Sequence, residues 1–334
     1  MLLHSAIVLL LLHTTLATDY LGGPRSWEEW KLKYGKTYNN EDHDFQRKNV
    51  WLANARRVAK HNKRYEQGLE SYYLRLNQFA DMTWAEFNQT YLYSRRPEQI
   101  PSDPVQIPFK TVGKLPPDAM DWVHEKCVTG VKTQGKCQSS WAFATAGAIE
   151  CQYALASKKL ITISAQQLID CSTPYHNHGC NGGSAENAYR YLNKNPIESE
   201  ESYPYTGKDG KCEADEAKGL AMVKLFYGVY SGSEEELKAL VGLHGPTVAE
   251  IDADEDFMLY GGGIYYSFKC KRDSPNLSIL LVGYKWAAFH DYWLAKTSLG
   301  PDYGEEGYVK IARGFFNMCG IANYASLPIL KNIQ

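Results

Sequence analysis

The 334-residue chain lacks a charge imbalance: 36 Lys and Arg stand against 38 Asp and Glu, for a net charge of −2. A balance so close to neutral supplies no basic surface for nucleic acid or an anionic membrane, and neither is expected as a partner. No apolar run reaches the roughly 20 residues that cross a bilayer. The run from Ala6 to Leu12 is too short for an anchor, and small residues at Thr15 and Ala17 follow it. That arrangement predicts a signal peptide over 1–17 and entry into the secretory pathway, with an extracellular or lysosomal destination. No pair of His or Cys has zinc-ligand spacing free of a disulfide reading, so no metal or cofactor is expected. Gly and Pro are absent from 42 to 67, which permits one long helix there. Among the residues present, eight cysteines suit an oxidising compartment once a secretion signal accompanies them. The length allows more than one domain, each with its own core.

The block from 18 to 113 is polar and rich in helix formers, opened by Trp27, Trp30, Leu32 and Tyr34. Arg47, Trp51, Asn54, Val58 and Asn62 recur at spacings of three or four and share one helix face. Arg75-Leu76-Asn77-Gln78-Phe79-Ala80-Asp81 follows, and the Pro-rich stretch from Arg96 to Pro108 reads as a linker. The spacing resembles the interrupted Glu-Arg-Phe-Asn-Ile-Asn signature of cathepsin L-like propeptides, with His43 at the glutamate and Trp51 at the phenylalanine. The later run resembles the second motif of that group, Gly-x-Asn-x-Phe-x-Asp, except at Arg75. The resemblance implies an inhibitory propeptide over 18–113 that lies in the substrate cleft, opposite in direction to a substrate.

Gln134-Gly135-Lys136-Cys137-Gln138-Ser139-Ser140-Trp141-Ala142-Phe143 resembles the active-site segment of papain-family cysteine proteases, Gln-x-x-Cys-x-Ser-Cys-Trp-Ala-Phe. Other landmarks keep the family's order: Leu115 to Trp122, Gly179-Cys180-Asn181-Gly182-Gly183, Gly245-Pro246, Val282-Gly283-Tyr284, Tyr292-Trp293, Gly307-Tyr308 and Cys319-Gly320. The resemblance implies an α+β, papain-like two-domain fold over 114–334, expected as a monomer. A helical left domain takes about 124–226, and a β-barrel right domain about 227–327 with terminal crossovers. It also implies the disulfides Cys137–Cys180, Cys171–Cys212 and Cys270–Cys319. Cys127 and Cys151 remain, as a fourth bridge or as two buried thiols.

The same resemblance assigns the nucleophile position to Ser140, the base position to Leu277 and the orienting position to Thr297. Gln134 is the side-chain donor of the oxyanion hole, Gln138 replaces the usual glycine beside the nucleophile position and is expected to crowd that hole, and Leu299 replaces a shielding tryptophan. The family's chemistry needs a thiolate activated by an imidazolium and a helix N-terminus. Leucine accepts no proton, and His124, His176, His178, His244 and His290 read as surface positions. The expectation is therefore a degenerate site and no enzyme: an inactive homologue that binds peptides, cystatin-like inhibitors or cathepsins. The alternative is a weak or altered peptidase using Ser140. The cleft is expected to be lined by Gly182, Gly183, Ser184, Ala185, Glu250, Pro275, Ser278 and Tyr324. Glu250 either points inward and favours a basic group, or is exposed by a one-residue register shift. Two sequons, at Asn88 and Asn276, are candidate glycosylation sites.

Overall fold

The computed structural model describes residues 23–24, 26–93, 106–110, 113–287 and 290–334. The expected signal peptide and most of the expected linker lie outside these residues. The N-terminal unit holds α1 (Trp27–Tyr34), α2 (Glu41–Glu66), β1 (Tyr72–Leu74) and α3 (Trp84–Tyr91). Each helix starts where a side chain satisfies an orphan N–H. Ser26 accepts from Glu29 N, Asn40 from His43 N, and Thr83 forms a reciprocal capping box with Glu86. With no Gly or Pro to interrupt it, α2 runs for 26 residues. Its buried face is the one the spacing predicts, with Trp51, Asn54 and Val58 turned inward. Asn54 Nδ2 donates to the carbonyls of Ala80 and Met82, and Arg47 reaches Glu86 through both guanidinium nitrogens. Those bonds tie the long helix to the 75–81 segment.

The remainder holds β2 (Gln106–Pro108), β3 (Met120–Asp121), α4 (Ser140–Ser157), α5 (Ala165–Cys171), α6 (Ala185–Lys194), β4 (Met222–Val229), α7 (Glu234–His244), β5 (Thr247–Ile251), α8 (Glu255–Met258), β6 (Tyr260–Tyr265), β7 (Leu277–Lys285), β8 (Tyr292–Lys296), β9 (Tyr308–Ala312) and β10 (Ala325–Lys331). The helices α4 to α6 precede 195, and the strands β4 to β10, interleaved with α7 and α8, follow 221. The sheet runs β1-β6-β9-β8-β7-β5-β10-β4-β2, with β3 on β7. Apart from Glu150, Gln152 and its hydroxyl-bearing residues, α4 is apolar or small around most of its surface, as a core helix is. It packs against β7 so closely that a Cβ on Gly147 would lie 2.6 Å from Leu280. That contact fixes the depth at which Ser140, at the start of α4, meets β7.

All eight cysteines are paired, in the bridges Cys127–Cys151, Cys137–Cys180, Cys171–Cys212 and Cys270–Cys319. The pair left open by the sequence is thus a fourth bridge, joining the loop before the site to the fourth turn of α4.

The N-terminal unit joins the rest through β1 on β6 and through a polar clamp. Arg57 donates to Asp256 Oδ1 at 2.7 Å and pairs with Glu255, while Lys269 donates to Asp256 Oδ2 at 2.6 Å. Burial pushes the Asp256 carboxyl up, but Lys269 and Arg57 outweigh it and hold the group below its ordinary value. A depressed carboxyl contributes stability in full above its ordinary value and loses it as pH falls through the lowered one. Glu86, held down to about 2 by Arg47 first and then by its cap bonds, follows the same sign. Attachment of 26–93 is therefore expected to be constant from pH 7 to about 5 and to weaken only below about 4. Limited proteolysis of that segment against pH checks this. Asp256→Asn is expected to loosen it at neutral pH by about 2–3 kcal/mol, the worth of hydrogen bonds to a charged group.

Candidate active-site cleft

Ser140 begins α4 and is 1% exposed. Its Oγ accepts from the Ser278 N–H at 3.2 Å, which places the first turn of α4 against the start of β7. The preceding Ser139 makes no side-chain cap and instead meets the Tyr205 hydroxyl at 3.0 Å. In the first turn the N–H groups of Ala142 and Phe143 donate to Ser139 O, and the positive end of the helix lies at Ser140. A cavity of about 20 Å³ lies beside Ser140, lined among others by Ser278, Thr297, Ser298 and Lys296. The Ser278 Oγ is buried there with no hydrogen-bond partner among the described residues.

Leu277, at the expected base position, is fully buried and pairs with Ile251. An isobutyl group there offers no lone pair. Thr297 directs its hydroxyl to the Gly307 carbonyl at 2.9 Å and accepts from Leu299 N, so its polar atom serves a turn. His124 and His178 are exposed, and His176 is exposed with φ 67. None of these three lines the cavity beside Ser140.

Gln134 is buried and fully committed: Nε2 donates to Cys137 O and Tyr91 O, and Oε1 accepts from Ser298 Oγ at 2.7 Å. Tyr91 belongs to the N-terminal unit. Gln138, expected to crowd this point, instead turns outward and donates through Nε2 to Gln89 O at 2.7 Å. On the opposite wall, Tyr93 N donates to Asn276 O at 3.0 Å. The stretch from Gln89 to Tyr93 thus crosses over Ser140 and is bonded to both walls, with Leu92 and Tyr93 buried. The chain's own N-terminal unit occupies the cleft.

The other expected lining residues divide by wall. Gly183 sits against the first turn of α4, where a Cβ on it would lie 2.4 Å from the Trp141 ring, and Gly182 before it has φ 104. Only glycine permits that approach. Ser184 caps α6 by accepting from Asn187 N, and Ala185 follows it, buried. On the far wall Glu250 lies opposite Ser278, and its N–H donates to Tyr324 O, with Pro275 half-buried nearby in sequence. Glu250 is 2% exposed, so the register that would have exposed it is not adopted. Asn276 donates to Asp252 and to Ala253 O and accepts from Ala253 N. An amide so committed is not free to carry a sugar in this fold, whereas Asn88 on α3 is exposed.

Sequence reasoning missed the buried charge cluster behind the site. Glu150, 1% exposed, accepts from Lys132 Nζ, Thr129 Oγ1 and Ile163 N. Lys296 Nζ donates to Thr129 O and Oγ1, and burial pushes its ammonium down to about 8 against the pull of Glu150. A glutamate within an otherwise apolar helix was the available signal.

Residues 116–329 match the papain family cysteine proteases, and residues 27–87 match the cathepsin propeptide inhibitor domain. A cathepsin L-like proteinase of Fasciola hepatica is 45% identical over 305 residues, covering 91% of this chain and 93% of that protein. Cathepsin S of Bos taurus is 42% identical over 311 residues, covering 90% and 91%. Among solved structures, digestive procathepsin L 3 of Tenebrio molitor larval midgut superposes with a TM-score of 0.83 at 35% identity, over 90% of this chain and 97% of that one. These matches overturn the expectation that the chain is no enzyme: its family is one of proteases, and its relatives at this identity include named proteinases.

Proposed function

The chain belongs to the papain family of cysteine proteases and carries the cathepsin propeptide domain, and on that premise we propose a zymogen whose cleft binds an extended peptide and hydrolyses it weakly through Ser140. The observation that carries this reading is the path of Gln89 to Tyr93, a peptide chain held from both walls directly over a hydroxyl at a helix N-terminus. In the hydrolytic step the Ser140 oxygen bonds to the scissile carbonyl carbon. Because Leu277 accepts no proton, the hydroxyl proton passes through water to the departing amine as the C–N bond breaks, leaving the acyl group on Ser140 Oγ. The oxyanion meets the Gln134 amide once Tyr91 has withdrawn from it. Water then displaces the acyl group and returns the hydroxyl.

Without an imidazole this is slow, and the expected turnover is at least about 10⁴-fold below that of a thiolate–imidazolium enzyme. A long-lived peptide complex follows from the same substitution. It favours capture of peptides and of cystatin-like inhibitors, or pairing with cathepsins, as part of the protein's role. The four disulfides and the short apolar leader support an extracellular or lysosomal setting. No helix among the described residues is long and apolar enough to cross a membrane.

The test uses fluorogenic dipeptide substrates on protein cut by an added protease between 110 and 115. Slow turnover that disappears in Ser140→Ala supports the proposal. Turnover unchanged by that substitution, or no turnover above buffer, overturns the assignment to Ser140.

A further inference from the structure

The linker is not merely a tether. Gln106–Pro108 forms β2, which adds in parallel to the outer edge of β4, opposite the edge taken by β10. Pro108 lies opposite Gly228, whose carbonyl accepts from Phe109 N at 2.8 Å. The side chains on either side of this short strand enter specific surroundings. Gln106 Oε1 accepts from Arg190 Nη2 at 3.3 Å, and Arg190 is itself 5% exposed on α6. Phe109 is 7% exposed and stands edge-on to His244 at 5.5 Å and to Tyr227 at 5.7 Å. Beside it a cavity of about 320 Å³ lies between the linker residues Ile107, Pro108, Phe109 and Lys110 and Tyr227, Leu243 and His244 of the folded unit. Ile107 and Pro108, between the two anchors, remain exposed.

A strand edge that accepts main-chain bonds, with pockets for alternate side chains, is the physical form of peptide recognition by strand addition. We infer that the outer edge of β4, with Arg190 at one end and the Tyr227–His244 groove at the other, is a docking site for an extended segment of a partner protein. The segment it fits has glutamine followed three residues later by an aromatic residue. In the precursor, residues 106–109 occupy this site in cis, at the high effective concentration that a covalent tether provides. It lies away from the cleft over Ser140, on the other side of β10 and β5 from β7, and does not depend on the chemistry proposed there.

The site should also weaken in acid. Burial lowers the affinity of His244 for a proton, and the Lys114 charge adds to this. The groups facing it are Tyr227 from β4 and Lys110 and Lys114 from the linker, while Gln152 of α4 donates to its carbonyl. A histidine depressed by the docked segment favours docking in full above its ordinary value of about 6.5 and loses that contribution as pH falls below it.

The experiment uses the full chain with Phe109→Ala, which vacates the groove, and a fluorescent capped peptide Gln-Ile-Pro-Phe-Lys. The variant is expected to bind the peptide at least tenfold more tightly than the unaltered chain does. Alanine in place of the peptide's phenylalanine should abolish that gain, and the affinity should fall between pH 7 and 5.5. A photoreactive benzoylphenylalanine at the same peptide position is expected to label residues 227–244. Equal binding by both chains, no binding by the variant with its unfolding midpoint unchanged, or labelling elsewhere would overturn the inference. If the variant fails to fold, the photoreactive peptide at excess on the unaltered chain decides by the location of its adduct.

Discussion

Ser140→Cys combined with Leu277→His is expected to raise peptide turnover by roughly 10⁴-fold or more over the unaltered chain, while either change alone gives little. The reason is mutual dependence. A thiol at 140 without an imidazole has no paired cation to hold it as thiolate. An imidazole at 277 without a thiol faces a hydroxyl that remains protonated, although it then has a base to assist attack. The geometry is already in place. Ser278 N lies 3.2 Å from Ser140 Oγ, so residue 277 begins the strand directly beside the nucleophile position. Adding Thr297→Asn frees that position from its bond to Gly307 O and supplies an amide to orient the new ring. A further gain of about tenfold is expected, read as kcat/KM on dipeptide substrates after the linker is cut. A pair of substitutions no faster than its single members would show that a feature other than the missing base limits the site.

Glu150→Ala is expected to destabilise the fold by about 3–5 kcal/mol, the cost of breaking a buried ion pair by removing one partner. The carboxylate is almost wholly buried and accepts three hydrogen bonds, from Lys132, Thr129 and Ile163 N. Its removal also takes away the charge that raises Lys296, so that ammonium falls below about 8. The folded state then holds fewer protons than the unfolded state over a wider interval beneath 10.5. Stability of the variant should accordingly rise with pH across that interval. Denaturant unfolding at pH 7 and pH 9 measures both effects. A loss under 1 kcal/mol would mean that water replaces the carboxylate at little cost.

Much of the architecture was legible because periodic patterns act locally. The face of α2 followed from the spacing of Trp51, Asn54 and Val58, and the absence of Gly and Pro allowed 26 residues to remain one helix. The caps at Ser26, Asn40 and Thr83 stand just before their helices, as a side-chain acceptor for the first turn requires. Around the cleft, Ser140, Ser278 and Thr297 line one cavity together with Ser298, which the sequence did not single out, whereas Leu277 is not among its lining. What they can do was less legible. A chain with leucine where a base is needed read as no enzyme, and the protease family to which it belongs corrects that reading. Gln138 read as an obstruction of the oxyanion donor, yet it turns out to the propeptide backbone because Gln89 O stands within 2.7 Å.

By itself, the sequence determined which side chains are available: a hydroxyl at 140, no proton acceptor at 277, eight cysteines, and a propeptide ahead of them. Such facts are chemical identities and need no fold. Only the tertiary structure decided the pairing of Cys127 with Cys151, the burial of Glu150 beside Lys132 and Lys296, and the docking of residues 106–109 along β4. Each of these depends on groups distant in the chain meeting in a low-dielectric interior or at one sheet edge. Local pattern carries no record of such meetings, because their free energy exists only once the chain has folded.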